Sequence, residues 1–390
     1  MLLALSTEHG VVPRAADGGR QLPSAETVEG YWLVEPNDFV FNPMWAVGGG
    51  VAVSSIAGAV STAYRVYSLS ERVHPRFLHY YMRSAPIVEQ YSLVVRGLTT
   101  FDRSVTRDDL ESLPVPIPPL SEQRAIANFL DTETARIDAL ISKKRRLVGL
   151  LDERRIGLLT DEVSGGATAA QTAGIDDWFP SLPAGWRLST VGAVTNAIMD
   201  GPHVSPEYVD PDAGGVPFIS VRNIFVDRWD LSTAKYINRM DFSSFCRRVK
   251  PEVGDVLLTK GGNTGIAREV DFDFDFHVWV HVAILKPRRD VMLPAFLTAV
   301  LNSRPGYEQS QLGTRGATNQ DLALGRIAKI RVPLPPLDQQ QQIVSAISTG
   351  AGPLAVAAQR LNEQIDLLVE HRQALITATV TGQLPVGVAA

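Results

Sequence analysis

Apolar residues recur at intervals of three and four, or sums of these, along residues 126–158. They are Ile126, Leu130, Ile137, Leu140, Leu147, Leu151 and Leu158, with Glu133, Lys144 and Arg154 as polar interruptions. That spacing predicts a long helix with a coiled-coil seam. The pattern returns as Ile343, Ile347, Leu354, Leu361, Leu368 and Leu375. Each seam follows a proline-rich stop, Val115-Pro116-Ile117-Pro118-Pro119-Leu120 and Val332-Pro333-Leu334-Pro335-Pro336-Leu337. Proline fixes φ and lacks an amide hydrogen, so these segments end a strand and force an extended connector. Ser121 stands where an N-cap belongs and Glu122 faces the helix dipole. Gly165 and Gly166 supply a stop. At ~1.5 Å per residue, about forty residues form a rod of roughly 60 Å.

The two stretches align without a gap at a constant offset of 217 residues, which carries Gln123 onto Gln340, Glu153 onto Glu370 and Arg155 onto Arg372. A repeat of this length is not a solenoid unit; it is a whole domain plus a trailing helix, made twice. Each helix has a seam that needs cover, and the other copy is the nearest cover. The expectation is an antiparallel pair holding two globular domains apart. Gly350, Gly352 and Pro353 predict a break or kink near the start of the second helix.

A globular domain, then Pro-Leu/Ile-Pro-Pro-Leu-x-x-Gln leading into a long helix that ends near Glu-x-Arg, all of it twice, resembles the specificity subunit of type I restriction-modification systems. The segments that carry the likeness are Pro116–Gln123, Pro333–Gln340 and Leu182-Pro183-Ala184-Gly185-Trp186. The resemblance implies an α+β fold. Two mixed α/β target-recognition domains are separated by a pair of long antiparallel helices, with a pseudo-two-fold internal repeat. The corresponding boundaries are 1–118 for the first domain, 119–165 for its helix, 166–180 for a small-residue linker, 181–336 for the second domain, 337–382 for the second helix and 383–390 for a tail. The resemblance also implies double-stranded DNA as ligand, two modification (methyltransferase) subunits docked on the helices, and restriction subunits that add translocation and cleavage. It implies no cofactor and no catalytic residue in this chain. Two readers on a rod would contact half-sites one to two duplex turns apart, roughly 34 Å per turn.

The first domain is expected to be shortened. Tyr31–Val40 matches Arg248–Leu257, yet only the second copy opens with Leu-Pro-x-Gly-Trp and some sixty residues before Lys250. A late start, a degraded gene or a reduced domain would each produce this.

Within the first domain, Tyr31–Phe41 reads as strand, turn at Asn37-Asp38, strand; residues 47–67 as strands with tight turns; and Pro75–Tyr91 as a helix with Phe77, Leu78, Tyr81 and Met82 on one face. In the second, Trp186–Ile198 reads as a strand followed by a short helix or loop. Val216–Asn223 and Val253–Thr259 read as strands, Asp271–Lys286 as a hairpin or long strand, and Leu293–Asn302 as a helix.

Composition adds little to this pattern: 390 residues with 45% hydrophobic and 20% charged content are ordinary for a globular chain. A single cysteine, Cys246, excludes an internal disulfide framework and fits a reducing cytoplasm. There is no run of eighteen apolar residues, so no membrane partner is expected. A net charge of −5 counts against a broad basic face, though not against local patches or a channel completed by partners.

Three motifs suggest other chemistry. Asn42-Pro43-Met44-Trp45 echoes the Asn-Pro-Pro-aromatic motif of amino-methyltransferases, but the second proline is Met and no glycine-rich cofactor loop lies upstream; a turn with a packed aromatic is the better reading. His277 and His281 have helical metal-ligand spacing, but Val278-Trp279-Val280 between them says strand, which would hold them ~13 Å apart. Lys260-Gly261-Gly262-Asn263-Thr264-Gly265 lacks the Gly-Lys-Ser/Thr ending of a phosphate loop. It is either a turn between strands or a DNA-facing loop.

Base edges are read best by Arg or Lys on guanine and Asn or Gln on adenine. Polar loops with these residues are Arg222-Asn223; Lys260, Asn263 and Thr264; and Arg315, Asn319 and Gln320. At the matching place in the first copy stand Arg96, Thr99 and Arg103. The competing readings are a partner-binding scaffold with a defunct first reader and a degenerate methyltransferase.

Overall fold

The computed structural model of the chain describes residues 1–6, 9–14, 28–97, 104–166, 171–173, 176–315 and 321–387. Two long helices, Leu120–Val163 and Leu337–Val380, have 44 residues each. Each contributes to two units, one made of Met1–Arg145 with Asn362–Ala390 and the other of Arg146–Leu361.

In the first unit a three-stranded antiparallel sheet runs in the order Val51–Val53, Phe39–Phe41, Arg65–Tyr67. The second unit repeats it as Ala267–Glu269, Val256–Thr259, Val282–Pro287, and adds Thr195–Asp200 beside the last strand. The turn before the central strand is the same in both. Asn37 and Gly254 have φ of 77° and 82°, and the next residue's carboxylate accepts from the amide of Glu35 or Glu252 at 2.8 Å. Asparagine tolerates this left-handed backbone almost as glycine does. The strand Trp32–Val34 pairs with Gly58–Val60 rather than with Phe39–Phe41.

Pro75–Tyr91 is not one helix. It divides into Pro75–Met82 and Ala85–Val94. The Ser84 hydroxyl donates to the Tyr81 carbonyl at 2.7 Å, and Pro86 occupies the first turn of the second piece. The freed Ala85 amide donates to Thr377 Oγ1 at 3.4 Å. The other unit divides in the same way: Ser303 donates to Val300, and the Arg304 amide donates to Thr160 Oγ1 at 3.0 Å. Thr160 and Thr377 are equivalent in the two repeats.

Asp271–Lys286 is neither a hairpin nor a long strand. His277–Val278 pairs parallel with Phe218–Ile219 in a small second sheet, whereas Val282–Pro287 lies in the main sheet. A turn closed by the Val282 amide on the Trp279 carbonyl at 2.9 Å sends the chain from one to the other.

The helices pair within each unit. In the first, Ile126 and Leu130 share a core with Ile376 and Val380. Asp138 meets Arg372 and Lys144 meets Gln364, which fixes the direction as antiparallel. In the second, Leu159 and Val163 share a core with Ile343, and Gly350 faces Leu158. The seam is not the one the leucines suggest. Ile141 is buried whereas Leu140 and Leu147 are 44% and 45% exposed. A straight helix drifts ~20° per heptad, so the buried line moves off a strict repeat. Leu151, Leu158, Ile347, Leu354, Leu361, Leu368 and Leu375 are half-buried. Nor is the second helix broken at Gly350–Pro353: it is helical throughout, with Pro353 inside. Gly352 leaves open space one residue before the ring, and Ala351 is buried, so packing holds the turn together.

What fastens each helix to its head is a fully buried glutamine in its first turn. Gln123 Oε1 accepts from the His74 amide at 2.7 Å, and its Nε2 donates to the Arg72 and Pro118 carbonyls at 3.0 and 2.7 Å. Gln340 accepts from Leu293 at 2.8 Å and donates to Val291 and Pro335 at 2.8 and 2.9 Å. His74 and Leu293 are the residues that open the first head helix in each unit.

In the first unit His79 accepts a hydrogen bond from the Val53 amide on Nδ1, and its imidazole pKa falls to about 3, first from burial and then from Arg83 and Arg76. Folding thus favours the neutral ring, and the unfolded chain binds the extra proton between pH 6.5 and about 3. The urea midpoint of the wild type should fall as pH drops through this window. In His79→Asn, whose amide oxygen keeps an acceptor for Val53, that slope should be smaller; equal slopes would show that another group titrates.

Candidate nucleic-acid interface

In both units one loop is closed by an antiparallel bridge and leans on a second loop. Arg96 and Ser104 exchange backbone hydrogen bonds at 3.0 and 2.9 Å; Arg315 and Asp321 do so at 3.1 and 2.9 Å. The next residue then reaches the second loop. The Val105 amide donates to the Pro43 carbonyl at 3.1 Å, and the Leu322 amide donates to the Lys260 carbonyl at 2.7 Å. The four loops therefore occupy matching places, although their residues differ.

The candidate side chains divide by accessibility. Arg96, Arg222, Asn263 and Arg315 are exposed. Arg96 lies 3.4 Å from Asp109 with its side chain 72% exposed, so this ion pair is weak and leaves the guanidinium available. Thr99, Arg103, Asn319 and Gln320 lie outside the described residues.

Three candidates are committed to the fold. Asn223 is buried and uses its whole amide: Oδ1 accepts from the Ser220 amide and hydroxyl, and Nδ2 donates to the Asp230 carbonyl and Thr233 hydroxyl. Thr264 is buried, and its carbonyl accepts from Gln311 at 2.7 Å. Lys260 is 5% exposed, with Nζ 2.8 Å from Asp321 and 3.8 Å from Asp200. Asp200 is in turn 2.7 Å from Arg248 and 3.3 Å from His203. A buried ammonium needs such partners, because desolvation disfavours it more than one distant charge can offset. Lys260 is thus a strut that pins the base of the Arg315–Asp321 loop.

Asp200, Arg248 and Asp321 escaped the sequence reading. Asp200 and Asp321 each lie some sixty residues from Lys260, and only the repeat alignment of Lys260 with Pro43 marks that loop as a shared position. Trp45 also differs from expectation. Its turn is present, but the ring is 56% exposed rather than packed. His277 is buried with Nε2 3.0 Å from the Val249 carbonyl, whereas His281 is exposed beyond the turn. Among the described residues no cluster of His, Cys, Asp and Glu is placed to hold a metal ion, and no helix is long and apolar enough to cross a membrane.

The sequence model of one protein family, described as the type I restriction modification DNA specificity domain, matches residues 44–148 and 183–365. The chain belongs to this family. The two matched stretches each include strands of one head sheet and the start of one long helix, so this specificity chain carries the family's domain twice. It is 22% identical over 333 residues to the type I restriction enzyme EcoBI specificity subunit of Escherichia coli, covering 83% of this chain and 68% of that one. Its fold matches, with a TM-score of 0.56 and 21% identity, a chain from a structure described as the basis of complex assembly and conformational transition of the type I R-M system. That match covers 90% of this chain and 83% of the other.

If Lys260 is a strut, Lys260→Met should destabilise the protein by about 1–3 kcal/mol, because the charge-assisted hydrogen bond to Asp321 is lost while Asp200 keeps Arg248. Amide exchange at Arg315, Asp321 and Leu322 should speed up even without DNA. A variant that binds DNA less well with unchanged exchange would make Lys260 a direct contact instead.

Proposed function

We propose that this chain is the non-catalytic DNA-recognition subunit of a cytoplasmic type I restriction-modification complex. Each head reads one half of a bipartite target in double-stranded DNA. Modification subunits, two per chain, dock on the long helices and supply the methyltransferase chemistry; restriction subunits join them. The observation that carries this reading is the matched pair of closed loops, each presenting an exposed arginine, Arg96 or Arg315, on the same frame. Loops held by a rigid scaffold are where specific recognition is usually built, and arginine is the commonest reader of guanine in the major groove. Backbone contacts would come from partner subunits as well as from this chain, which has a net charge of −5.

The helices offer the docking surface. Leu150 and Leu367 are equivalent in the two repeats, and both are more than half exposed, at 52% and 63%. An apolar residue left bare at the same place in each copy suits two identical partners, with one leucine serving each.

The test is footprinting of the chain co-purified with its modification subunits on duplexes selected from a random library. Two protected patches flanking an unprotected spacer are expected. A single continuous patch, or none, would contradict the bipartite reading. In the same preparation, Leu150→Asp and Leu367→Asp should each cost the complex about one modification subunit by native mass spectrometry.

A further inference from the structure

The loop that corresponds to Lys260-Gly261-Gly262-Asn263 in the second head is Pro43-Met44-Trp45-Ala46 in the first. Where one presents glycine backbone and an asparagine, the other presents two large apolar side chains, Met44 and Trp45, exposed to 43% and 56%.

Trp45 is held rather than loose. Its carbonyl accepts from the amides of Gly48 and Gly50 at 3.0 and 2.8 Å, and its own amide donates to the Asn42 carbonyl at 3.1 Å. The Met44 amide donates to Asn42 Oδ1 at 3.1 Å. A Cβ on Gly50 would lie 2.7 Å from the Trp45 Cβ and carbonyl oxygen, so the turn closes tightly only with glycine there. With the backbone pinned, placing the indole against a ligand costs only the freedom of two side-chain torsions.

Charged side chains of both signs stand near the base of this turn. A 240 Å³ pocket brings Pro43, beside the tryptophan, together with Arg65, Ser104 and Arg107. Ser104 is tied to the exposed Arg96, and Arg83 donates to the Gly49 carbonyl on the other side of the turn. The nearby carboxylates Asp109 and Glu111 are each paired with one of these arginines, Arg96 and Arg107. A bare aromatic is complementary to the apolar faces of nucleic-acid bases, and the exposed Arg65, which pairs with Phe41 on the neighbouring strand, is complementary to phosphate.

We propose that Trp45 is a second base-contacting residue of the first head beside Arg96, packing its indole against one base step of the first half-site. The inference rests on the DNA-reading function proposed above. Beside the matched arginines Arg96 and Arg315, the two heads then add different chemistry: an apolar wedge in the first, and hydrogen bonding from the Gly262-Asn263 tip in the second. Apolar wedges of this kind act by partial unstacking of a step, which makes them sensitive to the sequence of that step.

The experiment selects bound duplexes from a random library with the complete modification complex, using wild type, Trp45→Ala, Trp45→Phe and Asn263→Ala. Wild type should yield two groups of preferred bases. Trp45→Ala should lose preference at one or two adjacent positions of one group by roughly tenfold, with an unchanged melting temperature and the other group intact. Trp45→Phe should keep most of that preference, and Asn263→Ala should weaken the other group. The proposal is overturned if Trp45→Ala selects the same bases with the same affinity, if it affects the same group as Asn263→Ala, or if it lowers the melting temperature enough to mark Trp45 as structural. A wild-type complex that selects no bases overturns the DNA-reading function itself, and this proposal with it.

Discussion

A glutamine in the first turn of each long helix satisfies three backbone groups at the junction with its head. Prolines lack amide hydrogens, so the connectors pair poorly around them: Arg331–Leu334 still ladders with Arg187–Thr190, but the carbonyls at Pro118 and Pro335 need other donors. The Pro118 and Pro335 carbonyls find theirs in Gln123 and Gln340. The same side chains accept the first free amide of the head helix and donate to the loop before it. Each such buried group would cost about 1–3 kcal/mol if left unpaired. The glutamine therefore sets where the helix starts relative to its head, and the sheet, the paired head helices and the reading loops are built outward from that junction. A threonine near the end of the other long helix, Thr377 or Thr160, receives the amide at the break between the two head helices and completes the frame.

This frame is common to both heads, whereas the surfaces mounted on it are not. The turn at Asn37 or Gly254, the sheet order and the bridge that closes the reading loop all recur. The second head adds an edge strand, Thr195–Asp200, whose last residue joins the charged network around Lys260. The first head has Pro43 at the equivalent of Lys260, and it carries an exposed tryptophan where its twin has glycine. A duplicated scaffold with independently varied loops allows two halves of a target to be read by unlike chemistry.

Much of the frame is legible in the sequence because it is written in strong local rules. Proline stops, helical periodicity and a gapless repeat do not depend on what packs where. Sequence and structure part where a distant partner decides. Leu140 and Leu147 fit the seam by spacing, but the facing helix selects Ile141. Gly350–Pro353 has the composition of a break, but packing around Ala351 holds the helix continuous. Lys260 has the setting of a phosphate contact because neither Asp200 nor Asp321 is near it in sequence, and Asn223 has the look of a free reader although its four bonds close a local turn. Periodicity also cannot tell that the run ending at Lys286 belongs to two sheets, since both of its strands are buried.

Each head is fastened to its helix by one buried glutamine. Amide hydrogen exchange on Gln123→Leu and Gln340→Leu tests it most directly. Gln340→Leu should lose protection across residues 291–302 and the first turns of the second long helix, while 74–82 stays as in wild type; Gln123→Leu should show the reverse. Unchanged protection around the substituted residue in either variant would contradict the claim.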